Sequence, residues 1–127
     1  MIAVPVEQYL KDLAAVNWCY NYHRVSTPDT NVEMIKADPS LIFGWTIFNN
    51  AAYPIYVKLF NTSVATAVGA NRVHKTIGVE ANKSNVFDCS SPIILDRGLC
   101  IAIVKDLADS GLTPVLANDC VVDIHYR

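Results

Sequence analysis

The chain predicts an all-β fold: an antiparallel β-sandwich preceded by an N-terminal arm or short helix. Three observations carry that expectation. Apolar residues alternate at every second position in short runs across residues 41–127, the period of a strand buried on one face. Turn-forming residues cut these runs at near-regular intervals. No helical stretch separates one run from the next, so the βα alternation of a parallel sheet is missing.

Residues 1–30 read differently from the rest. Residues 6–16 place Tyr9, Leu10, Leu13 and Val16 at near-helical spacing, which favours a short helix or turn. Trp18, Tyr20 and Tyr22 then share one parity ahead of a Ser-Thr-Pro-Asp turn. Two readings fit this stretch: an extended arm with aromatics along one side, or a first strand of the same sheet. The domain division follows the first, with residues 1–30 as an attachment segment and residues 31–127 as the sandwich.

The strands follow in order. Residues 31–37 form a short strand, and Asp38-Pro39-Ser40 turns the chain. Residues 41–49 are the most apolar strand, with Leu41, Phe43, Trp45 and Ile47 on one face and Gly44 and Thr46 on the other. Residues 53–61 put Ile55, Val57 and Leu59 opposite Tyr56, Lys58 and Phe60, and Pro54 is tolerated near the strand's start. A polar, Ala-rich loop leads to a strand over 73–80 with Ile77 and Val79 inward. Residues 85–95 make one or two strands broken at Ser91-Pro92. After the tight turn Asp96-Arg97-Gly98, residues 99–105 are apolar on both parities, the mark of a strand covered on both faces. An irregular loop over 106–114 precedes a last strand over 115–126. Its inward set is Cys120, Val122, Ile124 and Tyr126, and its polar row is Asp123, His125 and Arg127 with Val121.

A chain of 127 residues suits one domain and buries a core without staples. Apolar residues make up 52% and charged residues 17%, below the usual figure of about a quarter. Such a surface suits a protein partly covered by other subunits. The net charge is −2, and Lys36, Lys58, Arg72, Lys75 and Arg97 are scattered without interleaved aromatics, so nucleic acid is not an expected partner. The first residues lack the basic-then-apolar order of a signal peptide, and no run approaches the ~18 apolar residues of a membrane span. Synthesis in the cytoplasm and no membrane partner are therefore expected.

Chemistry-bearing residues do not form recognisable constellations. Cys19, Cys89, Cys100 and Cys120 lack the spacing of a zinc or redox motif and read as small apolar thiols. His23, His74 and His125 have no helical spacing and no ligand set beside them, so neither metal nor cofactor is expected. A Cys89–His125 dyad, carboxylate pairs at Asp106/Asp109 or Asp119/Asp123, and a calcium set from Asp106, Asp109 and Asp119 can each be imagined. Each is outweighed by the ordinary reading of buried thiols and solvated carboxylates. No enzymatic activity is expected. Trp18, Tyr20, Tyr22, Trp45, Tyr53 and Tyr56 supply the aromatics for a sugar-stacking platform, although Trp45 shares parity with core residues.

The order of features from residue 41 onward resembles a family of small virion proteins of tailed bacteriophages. The resembling segments are Tyr-x-x-Tyr-Val-Lys-Leu-Phe-Asn at 53–61, Val-Gly-Ala-Asn at 68–71 and Lys-Thr-Ile-Gly-Val at 75–79. They continue with Pro-Ile-Ile-Leu-Asp-Arg-Gly-Leu-Cys-Ile-Ala-Ile-Val at 92–104, Ala-Asp-Ser-Gly-Leu-Thr-Pro-Val at 108–115 and a closing Val-Asp-Ile-His-Tyr-Arg. The resemblance implies a jelly-roll-like sandwich without catalytic residues, placed on the virion as a capsid cement or decoration protein. The alternative it leaves open is a tail or head-fibre component that binds host surface carbohydrate. The implied partners are the major capsid protein or other virion proteins, with self-association as a trimer or dimer. Under this reading Tyr9, Leu10, Trp18, Tyr20 and Tyr22 are expected anchors of an arm, and Asp106 and Asp109 mark a contact loop.

Overall fold

The structure is a computed structural model, and it describes residues 19–127. Among the described residues eight strands follow one another: β1 (Tyr20–Val25), β2 (Glu33–Lys36), β3 (Ser40–Asn49), β4 (Ile55–Phe60), β5 (Lys75–Val79), β6 (Ser84–Leu95), β7 (Leu99–Val104) and β8 (Cys120–Tyr126). They form two four-stranded sheets, ordered β1-β8-β3-β6 and β2-β7-β4-β5, with every pairing antiparallel.

The order has a simple physical origin. First pairs with last, second with seventh, third with sixth and fourth with fifth. A long two-stranded ribbon closed at the β4–β5 connection generates those four pairings. Wrapping it so that β8 also meets β3 and β7 also meets β4 produces both sheets. This is the eight-stranded jelly roll.

The inner faces supply the core. Ile42, Trp45 and Ile47 of β3 and Val122 and Ile124 of β8 face Ile55, Val57 and Leu59 of β4 and Leu99, Ile101 and Ile103 of β7. Each such aliphatic side chain removed from water contributes about 1.5–3 kcal/mol before conformational entropy is counted. The alternation expected for β8 and the double-sided burial expected for β7 are present, and the expected inward set of β4 is in the core, although its outward Lys58 and Phe60 are buried as well.

Three local expectations change. The face assigned to β3 switches partway along the strand, because its register with both β6 and β8 slips between Ile42 and Gly44. An extra residue there moves the inward set from Ile42 to Trp45 and Ile47, and leaves Leu41 and Phe43 only half-buried. The last strand is shorter than expected: Asn118 adopts φ 63° and Asp119 N donates to Leu116 O, so residues 116–119 are a turn before β8. Finally, the segment around Tyr20 and Tyr22 is the first strand of the sandwich, its second reading. All six residues of β1 pair with β8, so the sandwich extends into residues 1–30. Backbone groups of an apolar, alternating segment are better satisfied by an open sheet edge than by solvent alone.

The two margins of the sandwich are closed by polar groups. Between β1 and β2, Arg24 donates to Asn31 Oδ1 at 3.0 Å and pairs with Glu33 at 2.5 Å. Asn31, buried with φ 52°, also accepts from Thr27 N at 2.9 Å. Near the opposite margin, buried Asn49 donates to the carbonyls of Tyr53 and Val79, and Trp45 Nε1 donates to Asn85 Oδ1 at 3.1 Å.

Candidate functional site

The two outer faces differ. On the β2-β7-β4-β5 sheet, the outward residues Lys58 and Phe60 of β4 and Cys100, Ala102 and Val104 of β7 are buried, and Tyr56 is half-buried. Two loops cover them. Val68 and Val73, from the connection before β5, pack on Phe60, Cys100 and Ala102. The connection after β7 lies over Lys58, whose ammonium donates to the carbonyl of Ala108. The loops also meet each other, since a Cβ at Gly69 would come within 2.8 Å of Leu112 Cδ2, and Gly69 has φ 82°.

Among the described residues, no segment covers the outer face of β1-β8-β3-β6. The register sets its side chains in rows across the strands. Val25, Val121 and Phe48 form one row. His23, Asp123, Thr46 and Val86 form the next, and Asn21, His125, Gly44 and Asp88 the third. Phe48 is 46% exposed and Val86 63%, both large apolar side chains exposed on a strand face. Beside them, Asp123 accepts from Asn21 Nδ2 at 3.1 Å and bonds His23 Nδ1 at 2.8 Å. Partial burial pushes the Asp123 carboxyl up, but the Asn21 and His23 contacts and the neighbouring His125 outweigh it and hold it below the ordinary aspartate value. The face thus offers an apolar strip beside a fixed negative charge flanked by two imidazoles.

The residues singled out in the sequence are distributed unevenly. Tyr9, Leu10 and Trp18 lie outside the described residues. Tyr20 sits at the sheet edge, 54% exposed, with its ring 5.5 Å from that of Tyr126. Tyr22 belongs to the core. Burial, and after it the Glu33 carboxylate, push its phenol up to about 12. Asp106 is turned inward on its own loop: its carboxylate accepts from Thr113 N at 2.7 Å and from Thr113 Oγ1 at 3.1 Å. Those bonds, with a lesser contribution from Lys58, hold its carboxyl below the usual range. Asp109 is exposed at the loop's outer side. The loop over 106–114 therefore covers the chain's own sheet.

The imagined carboxylate pair at 119 and 123 separates. Asp119 accepts from the Tyr53 hydroxyl and from Leu116 N, whereas Asp123 faces Asn21 and His23. Burial, then Asp88, push the Cys89 thiol up, away from the thiolate a nucleophile requires. Burial, then Asp119, push Cys120 up to about 12. All four cysteines are free thiols. Among the described residues no group of three His, Cys, Asp or Glu is placed to hold a metal ion. Among the described residues the aromatics are dispersed: Trp45 and Tyr22 are in the core, the Tyr20 ring is tilted against Tyr126, and Tyr53 is tied to Asp119.

Sequence reading missed Phe48 and Val86. Phe48 follows the inward Ile47, so a large apolar residue on the solvent parity was the available signal.

No family model and no curated protein matches the chain. Among solved structures, the coat protein of Tobacco streak virus is similar at 12% identity and a TM-score of 0.35, covering 86% of this chain and 87% of that one. A likeness of that size carries no argument about function, and the jelly-roll topology stands on this chain's own strand pairings.

Proposed function

We propose that this chain is a non-enzymatic structural protein of a virus particle, and that it acts as a cement or decoration protein on the capsid of a tailed phage. The open outer face of β1-β8-β3-β6 carries the reading. Jelly rolls serve in viral shells, lectins and other proteins, so the fold alone does not choose among them. The contrast between a sealed face and an open one supports adhesion through a single side. Phe48, Val86 and Val25 are the apolar contacts, and the His23–Asp123 pair fixes register beside them. The segment order from residue 53 to the C-terminus, similar to phage virion proteins, points the same way. In this reading the partners are the major capsid protein and other copies of the chain.

The test is reconstitution. Shells lacking the protein are mixed with the wild-type chain or with Phe48→Lys, and occupancy is read by cryo-electron microscopy. Wild type is expected at regularly spaced positions, with heads that retain DNA at higher temperature. Phe48→Lys is expected to stay folded by circular dichroism and to leave those positions empty. Heads that are equally heat-resistant without the protein overturn the proposal.

A further inference from the structure

A second surface is built from two segments that contribute none of the open-face contacts named above. The Asn that ends β4's segment and the Asp-Arg-Gly turn between β6 and β7 are far apart in the chain, yet they meet. Asn61 Oδ1 accepts from Arg97 N at 2.9 Å and from Gly98 N at 3.3 Å, while its amide donates to Asp96 Oδ1 at 2.6 Å. Gly98 is wedged so closely that an added Cβ would come within 2.3 Å of Thr62 O. Across from this turn, His74 N donates to Leu59 O at 2.8 Å and so holds the start of β5 in place. Between the two runs a cleft of about 470 Å³, lined by Asn61, Arg72, Val73, His74, Asp96 and Arg97.

The charge of that cleft is unbalanced. Arg72 and Arg97 are exposed and form no ion pair with a described residue. The one carboxylate in the lining, Asp96, is engaged by the Asn61 amide. Two guanidinium groups and an imidazole thus open onto one concave surface whose floor is pinned by backbone hydrogen bonds. Planar guanidinium forks match an oxyanion's geometry, and a fixed floor lowers the ordering cost of binding one.

We infer that this cleft binds a phosphate group, with Arg72 and Arg97 as its two ligating side chains and Asn61 as the residue that positions Arg97. The group is either the free ion or a phosphate monoester.

Titration of the whole protein at low salt, followed by NMR amide shifts, tests this with inorganic phosphate and with a nucleoside monophosphate as separate probes. Saturable shifts confined to residues 61, 72–74 and 96–98 are expected, and an Arg72→Ala/Arg97→Ala double variant is expected to bind at least about tenfold more weakly. Tighter binding of the nucleotide identifies an ester as the ligand, and equal binding identifies the ion. Lys83→Ala, a charge loss at a distant turn, is expected to bind as wild type does. Shifts that never saturate, a double variant that binds unchanged, or an equal loss in Lys83→Ala each overturn the inference.

Discussion

The two outer faces belong to four-stranded antiparallel sheets of the same fold, and they have opposite fates. One lies under two loops that bury a lysine, a phenylalanine and a cysteine. The other meets water with Phe48 and Val86 uncovered. The strands themselves explain part of the difference. β7 is apolar on both parities and cannot leave either face wet, so something must cover it. β8 alternates Val122 and Ile124 with Asp123 and His125, and it tolerates an open side. A sandwich with one face closed by its own chain has one broad face left for another molecule.

That contrast can be broken at either face, and the sealed one is the more costly. Phe60→Ala removes the largest apolar side chain beneath the loops and is expected to lower unfolding free energy by about 3–5 kcal/mol in urea titrations. A loss below about 1 kcal/mol would mean that the loops do not pack there as described. Lys58→Met keeps the volume but removes the donor to Ala108. The expected loss is about 1–3 kcal/mol, with faster amide exchange through residues 106–113 while β7 stays protected. Equal exchange in both regions would show that the loop is not a separate cover.

Phe48→Ser, on the open face, is expected to change stability by less than about 1 kcal/mol while abolishing attachment to shells, measured by co-sedimentation. If it destabilises as much as Phe60→Ala, the face is not free in the folded chain. The smallest effect is electrostatic, and it appears on both sides. Asp123 and Asp106 are held below the ordinary carboxylate value. A depressed folded value stabilises the native state above the unfolded value and is lost as pH falls through the folded one. Melting temperatures followed from neutral pH to about pH 3 should therefore fall less steeply in Asp123→Asn and Asp106→Asn than in wild type. A slope identical to wild type in both variants would remove these two carboxylates as sources of acid sensitivity.

Much of the fold is readable along the chain, and the candidate surfaces are less so. The inward sets of β4 and β8 follow from simple alternation, and Trp45 is a core residue as its parity required. The register slip at Phe43 is not visible in composition, because an inserted residue changes parity without changing residue type. Asp106 reads as a solvated loop acid; its bonds to Thr113 depend on a loop closure that no periodicity encodes. Arg72 and Arg97 read as scattered charges for the same reason, since only folding brings them to one cleft.

Period-two alternation and turn chemistry, both short-range properties, were enough to specify an all-β chain and to say which residues of β4 and β8 go inside. The rest came from contacts between distant segments. Which strand lies beside which, which face the loops close over, whether Tyr22 is an anchor or a core residue, and where two arginines converge are all decided by burying apolar area and satisfying backbone groups across the whole chain at once. Those forces act between residues that are neighbours only after folding.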